Sequence, residues 1–477
     1  MPNSDENTGQ HPIPNGLAER LPPWMTGFSL GSWVIFIIGA VSALILFIPR
    51  DHIDADMSFW IFSREHEPMY APIVEDWNAT HDTTIKMSML GMAGLEQRMF
   101  NGFRGGLPTA DIIEAEYRHA GRAFAGPIDA IGFLDLTDRI KAEGLDESII
   151  STSFTPWTTR GHIFGLPHDV HPVLLAYRAD IIEQYGIDVS TIETWDDFAE
   201  VFRPIMADNN GDGKPDHYPL AFWPWQDDKV ELLLYQGGTG LFDANGQPNI
   251  NTPENARVLA TMVSWCVGPD RIAYDVRDFE DNGNKLKREG LTAAYFTPDW
   301  MCGVWKNQFP DMAGKLQIIP LPAFEPGGRR ASVWGGTMTG IPKTCENPDE
   351  AWEFVKHIYL SPDLAEQLWH AGDIVSPVKA MWDNPMYDEP DEYFRGQRKG
   401  RLYIDHIPQV PPRYPSPYNL AARRSVCDAA LKLLEYAQDN DVFDKESLIP
   451  RAEKVLDEAQ RHIKRLVDRN VFLKEEN

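Results

Sequence analysis

Residues 57–118 read MSFWIFSREHEPMYAPIVEDWNATHDTTIKMSMLGMAGLEQRMFNGFRGGLPTADIIEAEYR, and this stretch decides the fold. Met57-Ser-Phe-Trp-Ile-Phe62 alternates side-chain character residue by residue, as a half-buried strand does. Met69, Ile73 and Trp77 then recur at helical spacing. Thr84 to Leu90 is a second strand, with Ile85, Met87 and Met89 on one side. Leu95, Met99 and Phe103 mark a second helix, which Gly105-Gly106-Leu107-Pro108 stops. Ala110 to Ile113 is the third strand. Strands alternating with helices predict an α/β body built on a parallel, doubly wound sheet.

The pattern extends in both directions. Thr194-Trp-Asp-Asp197 predicts a helix start, with Thr194 as N-cap and Asp197 completing a capping box. Asn347-Pro-Asp-Glu350 and Ser361-Pro-Asp-Leu364 place Pro at a first helical position. Near the C-terminus Leu448, Val455, Leu456, Ala459, Ile463 and Leu466 hold helical spacing. The chain of 477 residues is long enough for two α/β lobes plus C-terminal helices. There is no internal repeat and no low-complexity segment.

Upstream, residues 28–48 read FSLGSWVIFIIGAVSALILFI, without one charge. About 20 helical residues span the roughly 30 Å hydrocarbon core of a bilayer. A signal peptide would carry a shorter apolar run ending at a small-residue cleavage site, and a soluble helix of this length would carry a polar stripe. The expectation is therefore an uncleaved transmembrane helix over 28–48, preceded by a disordered tail over 1–27. Arg20 and Arg50 flank it almost evenly, so charge does not orient it. No cysteine stands near its end for lipid attachment.

Charge excludes several functions. There are 44 basic and 71 acidic residues, a formal −27. Such a chain is repelled by nucleic-acid phosphates and by anionic lipid. Cys266, Cys302, Cys345 and Cys427 contain no C-x-x-C pair, so neither a zinc ribbon nor a thioredoxin-like site is supported. They are either buried thiols or one or two disulfides. Gly27-Phe-Ser-Leu-Gly31 matches G-x-S-x-G but opens the apolar segment, where no strand–turn–helix exists to expose a nucleophile.

In open α/β sheets ligands bind beyond the carboxyl ends of strands. Ser63-Arg-Glu-His-Glu67 and Glu114-Ala-Glu-Tyr-Arg118 follow the first and third strands. A carboxylate or guanidinium placed there can bond two adjacent hydroxyls of a polyol. The chain holds 15 Trp, several beside turns: Trp223-Pro-Trp225-Gln226, Pro298-Asp-Trp300 and Trp334-Gly335-Gly336. An indole face suits the C–H face of a sugar ring, although core packing is the commoner fate of tryptophan. Asp208-Asn-Asn-Gly-Asp-Gly-Lys-Pro-Asp216 matches the start of a calcium loop, with Asp208, Asn210 and Asp212 at positions one, three and five, the Lys214 carbonyl at seven and Asp216 at nine. Position twelve is Pro219 rather than a bidentate Glu. Structural Ca2+ and a plain Asn/Gly-rich turn both remain open.

These motifs together resemble the extracellular solute-binding proteins of ABC importers, family 1, the sugar-binding group that includes maltose-binding protein. The resemblance runs from about Met57 to Ala437. It is carried by Phe59-Trp-Ile-Phe62, Gly106-Leu-Pro-Thr-Ala-Asp-Ile-Ile113, Gly165-Leu-Pro-His-Asp-Val170 with Leu175-Ala-Tyr-Arg178, Thr194-Trp-Asp-Asp-Phe198, and Trp334-Gly-Gly336 through Ile341-Pro-Lys343. It implies a two-lobed, periplasmic-binding-protein-like (type II) fold. Lobe 1 would comprise 57–170 plus 334–375, and lobe 2 would comprise 171–333 plus 376–470. It implies closure of the lobes about a ligand and docking on a permease, without chemistry on the ligand. It places Arg64, Glu65, Glu116, Tyr117, His171, Trp225, Gln226, Trp300 and Tyr414 at the cleft, beside Trp334 and Gly335. His171 stands where the maltose binder has an acidic ligand residue. The functional expectation is a membrane-tethered binding subunit for a sugar or related polyol, its body facing the periplasm or the cell exterior. An extracytoplasmic sensor and a surface glycoside hydrolase are the alternatives.

Overall fold

The computed structural model describes residues 29–46 and 55–473. The chain divides into two compact units, 1–54 and 55–477. In the first, helix α1 spans Leu30–Leu46, 17 residues. No helix among the described residues is long and apolar enough to cross a membrane. Of the expected span over 28–48, residues 30–46 are helical, and residues 28, 47 and 48, with the 1–27 tail, lie outside the described residues. Val34, Ile35, Phe36, Ile37, Ile38 and Val41 are exposed on it.

The second unit holds two large sheets and a two-stranded hairpin that pairs Thr158–Thr159 with His162–Ile163. The first takes β1 (Met57–Ile61), β2 (Ile85–Met89), β3 (Ile112–Glu116), β4 (Leu166–Pro167) and β11 (Thr337–Gly340), in the order β2-β1-β3-β11-β4. The second takes β5 (Pro172–Arg178), β6 (Tyr218–Ala221), β7 (Ala273–Tyr274), β8 (Thr292–Pro298) and β9 (Leu316–Ile319), in the order β9-β5-β8-β6-β7, with β10 (Ser332–Val333) paired to β5.

Neither sheet is wholly parallel, which corrects the simple doubly wound expectation. β1 is parallel to β2 and β3, but β11 is antiparallel to β3 and β4. β5 is likewise antiparallel to β8, β9 and β10. The cause is connectivity. β4 leads directly into β5 and β10 directly into β11, so strands that carry the chain between the sheets run against their neighbours.

The expected helices form. α2 (Glu67–Thr80) buries Met69, Ile73 and Trp77. α3 (Met92–Gly105) buries Leu95 and Met99 and ends at Gly106, whose φ of 59° is left-handed. Short helix α4 (Tyr117–Ala123) follows β3 directly, and α5 (Asp227–Gly237) follows β6. α6 (Asn419–Asp439) and α7 (Lys445–Arg469) pack against each other, α7 through Leu448, Val455, Leu456, Ala459 and Ile463. The capping box is present: Thr194 accepts from the Asp197 N–H at 3.2 Å, and Asp197 accepts from the Thr194 N–H at 2.8 Å. Ser361 caps its helix through the Leu364 N–H, whereas Asn347 makes no such bond. All four cysteines are free and buried.

Removing the Thr194 cap should be felt through Trp195, which is 1% exposed at the centre of an aromatic cluster with Phe198, Trp265 and Phe296. Thr194→Ala is expected to lower stability by about 1 kcal/mol, read as a lower midpoint in urea with an unchanged slope.

Candidate functional site

Two short segments join the sheets. His168-Asp-Val-His171 links β4 to β5, and Trp334-Gly-Gly336 links β10 to β11. Both need backbone that most residues avoid: His171 has φ 46°, Gly335 97° and Gly336 131°. A Cβ on Gly335 would lie 2.9 Å from His171 Cδ2 and 3.0 Å from Trp300 Nε1, so only glycine fits between them.

His171 is fixed between two buried carboxylates. Its Nδ1 lies 2.8 Å from Asp299 Oδ1 and its Nε2 3.1 Å from Asp169 Oδ2. Asp169 Oδ2 also accepts the Thr337 N–H at 2.8 Å, and Asp299 Oδ2 accepts the Val375 N–H at 2.8 Å. Burial opposes charge on His171, but the two carboxylates outweigh it and raise the imidazole to about 10. Burial would lift Asp169, yet His171 and His168 hold it far below the usual carboxylate range. Both ring nitrogens of His171 are thereby engaged within the protein rather than turned to the cleft.

The network continues into the first sheet's lobe. His168 Nε2 lies 2.9 Å from Asp169 Oδ2, and its Nδ1 meets the Tyr70 hydroxyl at 2.7 Å. Tyr70 donates to Glu114 Oε1 at 2.7 Å, which also meets His66 Nδ1 at 2.8 Å. Glu114 Oε2 accepts the Phe62 N–H at 3.1 Å. A chain of buried polar groups therefore runs from the end of β1 to the end of β8. The position of Arg64 and Glu65 is set by this anchor at Phe62. Both are exposed, and Glu65 accepts from Ser63 at 2.8 Å.

A second constellation bridges the lobes beyond β3. The Tyr117 hydroxyl donates to Glu231 Oε2 at 2.8 Å, and Arg118 Nη1 lies 3.3 Å from Asp228 Oδ1. Glu116 accepts from Arg118 Nε at 2.9 Å. Arg423, 2% exposed, reaches Asp228, Asp227 at 3.2 Å and Glu231 at 3.1 Å. Arg413 stacks over the Tyr117 ring at 4.0 Å and donates to the Gly335 carbonyl. Among the described residues Glu231 Oε1, the Tyr235 hydroxyl, Asn419 Oδ1 and Arg423 Nη1 are buried without a hydrogen-bond partner. Burial raises Glu231 above its ordinary value, against the pull of Arg423. Unpaired buried polar atoms are costly, so this cluster suits a hydroxyl-rich guest. Sequence reading passed over Glu231, Asn419 and Arg423. The signal was there in the i, i+4 pairs Glu231/Tyr235 and Asn419/Arg423, but only packing of α5 on α6 turns the two pairs toward one another.

The third group is aromatic. Trp225 is half-buried and donates its indole N–H to Asp275 Oδ2 at 2.9 Å, while Gln226 Nε2 donates to Asp275 Oδ1 at 3.3 Å. Trp300, also half-buried, donates to the Trp334 carbonyl at 3.0 Å. Trp334 is 6% exposed, so it offers Trp300 a carbonyl and a ring edge, and its own face is packed in the core. His171, Trp300, Trp334 and Gly335 are thus brought together, and Trp225 and Gln226 share Asp275. Tyr414 is half-buried against the second lobe's core.

The 208–216 loop is closed on itself. Asp208 accepts the Gly211 and Gly213 N–H groups, Asp212 accepts that of Lys214, and Asp216 accepts from Asn209 and Asn210 side chains. Among the described residues no three His, Cys, Asp or Glu side chains are grouped so as to hold a metal ion.

Comparison with known proteins agrees with this architecture. The family model for bacterial extracellular solute-binding proteins matches residues 63–362. The chain is 24% identical over 352 residues to an arabinooligosaccharide-binding protein of Halalkalibacterium halodurans, covering 71% of this chain and 75% of that one. It is 27% identical over 348 residues to a lactose-binding protein of Rhizobium radiobacter, covering 71% and 78%. Among solved structures, the sugar-binding protein MalE of Xanthomonas citri superposes with a TM-score of 0.67 at 16% identity, over 87% of this chain and 99% of that one. The galacto-N-biose-/lacto-N-biose I-binding protein of Bifidobacterium longum, in complex with lacto-N-biose, gives 0.64 at 18%, over 88% and 99%. The structural matches establish the two-lobed fold.

The His171 ion triad predicts a pH signature. Its folded value of about 10 lies above the roughly 6.5 of an unfolded histidine. The stability it contributes is complete below pH 6.5 and is lost as pH rises to about 10. His171→Gln should therefore lower Tm strongly at pH 7 and much less at pH 10.5. Equal losses at both values would remove the charge from the argument.

Proposed function

The chain belongs to the bacterial extracellular solute-binding protein family, and from that premise we propose that it captures a sugar or related polyol between its lobes for delivery to an ABC permease. The observation that carries this reading is the pairing of ring faces with fixed acids at the strand ends. Trp225 and Trp300 have their indole N–H groups held by Asp275 and by the Trp334 carbonyl, which orients a face of each ring. Glu116, Arg118, Glu231 and Arg423 form a separate set of sequence-distant, bridged charges that suits hydroxyl recognition. Stacking takes the C–H face of the sugar and charge-assisted bonds take its edge. The relatives' names, arabinooligosaccharide- and lactose-binding, support a carbohydrate of that size. Binding without turnover accords with a family of binding proteins.

The membrane tether is part of the same proposal. The apolar, exposed face of α1 supports it, and a permease would be met at the membrane. The body would then face the periplasm or the exterior, as the family's does.

Two measurements test the reading. In calorimetry against arabinotriose, lactose, maltose and galactobiose, at least one should bind, and Trp300→Ala should weaken that binding about tenfold, the scale of a lost aromatic stacking contact. Binding of none would sink the carbohydrate assignment. Deleting residues 1–54 should leave binding and Tm unchanged and move the protein from the membrane fraction to the soluble one. Retention in the membrane fraction would end the tether proposal.

A further inference from the structure

The loop from Asp275 to Phe279, which follows β7, was not singled out by any sequence motif. Its side chains alternate. Asp275 bonds Trp225 and Gln226, Arg277 lies 4.1 Å over the Trp225 ring, and Phe279 lies parallel to Trp300, with centroids 6.3 Å apart and planes 14° apart. Between them Val276 is fully buried and Asp278 turns inward. The Asp278 carboxylate bonds Lys287 and lies 2.9 Å from Lys229 Nζ. Both lysines are 3% exposed. Lys229 also donates to the Ala221 carbonyl at 3.0 Å, and Lys287 sits 5.3 Å from the Trp305 ring. The loop is therefore clamped from below at the residue before Phe279.

Phe279 itself is anomalous in two ways. It is 55% exposed, and its φ of 63° is left-handed. A bulky residue in that region is strained, and such strain persists only where the surroundings enforce it. Folding alone gains little from an exposed ring held this way. Glycine or asparagine would satisfy the backbone at lower cost. An exposed aromatic face kept parallel to a half-buried tryptophan is, however, what a run of stacked sugar rings needs.

Resting on the carbohydrate reading above, we propose that Phe279 is a second stacking face beside Trp300, and that the ligand is a disaccharide or longer. Asp278 is its positioning residue. Trp300 takes one ring and the outer face of Phe279 takes the next, so a monosaccharide uses only part of the surface.

The test compares lactose with galactose, and arabinotriose with arabinose, on the full chain and on Phe279→Gly and Phe279→Tyr. Glycine keeps the left-handed backbone and removes the ring. The wild type is expected to bind the longer sugar of at least one pair more tightly than its monosaccharide. In Phe279→Gly that preference should fall about tenfold, while Tm holds or rises because the strain is relieved. Phe279→Tyr should retain the preference. A preference absent in the wild type, or undiminished in Phe279→Gly, overturns the proposal. So does a fall in Tm, which would make the ring structural. If the wild type binds none of these sugars, the parent carbohydrate reading fails and this one falls with it.

Discussion

The ion triad Asp169–His171–Asp299 is the contact on which the arrangement of the lobes depends. His171 and Asp169 belong to the segment joining β4 to β5. Asp169 accepts a backbone N–H from Thr337, at the head of β11, where the chain returns. Asp299 accepts one from Val375, where the chain passes on from the helix Pro362–Gly372. One buried imidazolium thus couples every strand-to-strand crossing and the later connection. Taking these charges out of water is expensive, and removing one partner of such a set costs about 3–5 kcal/mol, because it strands the rest. The bonds are worth keeping for what they specify. They hold left-handed residues at both crossings, and a hinge is made of a few positions that absorb backbone rotation.

From that centre the polar chain through His168, Tyr70 and Glu114 reaches Phe62 and so orients the exposed loop after β1. On the other side Trp300 follows Asp299 directly, so the residue that grips the histidine also begins the aromatic platform. The Tyr117–Glu231 and Arg118–Asp228 contacts bridge the lobes beside the crossings, where the Tyr117 N–H donates to the Gly336 carbonyl at 3.0 Å. Geometry of the site and geometry of the hinge are therefore one problem, solved by adjacent residues.

The strand ends that carry the candidate site are legible in the sequence. Glu116 and Tyr117 follow a hydrophobic strand, and Trp300 follows another. What residue type alone does not show is the partners of each side chain. His171 reads as a ligand contact but has both nitrogens engaged by carboxylates, one 128 positions away. Trp334 stands beside a turn as a candidate site residue, and its ring is packed in the core while its carbonyl accepts the Trp300 N–H. Asp208, Asn210, Asp212 and Asp216 read as ligands but accept from their own loop. Arg423 and Asn419 lie in a helix that looks unremarkable, and their role arises from the facing helix Asp227–Gly237.

The sequence by itself determined the elements: the strand–helix alternation of 57–118, the Thr194 capping box, the Gly106 stop and the amphipathic C-terminal helix. These follow from periodicity and local hydrogen bonding, which act over a few residues. Only the tertiary structure decided the mixed direction of both sheets, the burial of the four cysteines, the pairing of His171 with Asp299 and the strained exposure of Phe279. Each of these depends on segments far apart in the chain being packed together. The free energy of burying a charge or a ring depends on what surrounds it, and a linear pattern does not carry that information.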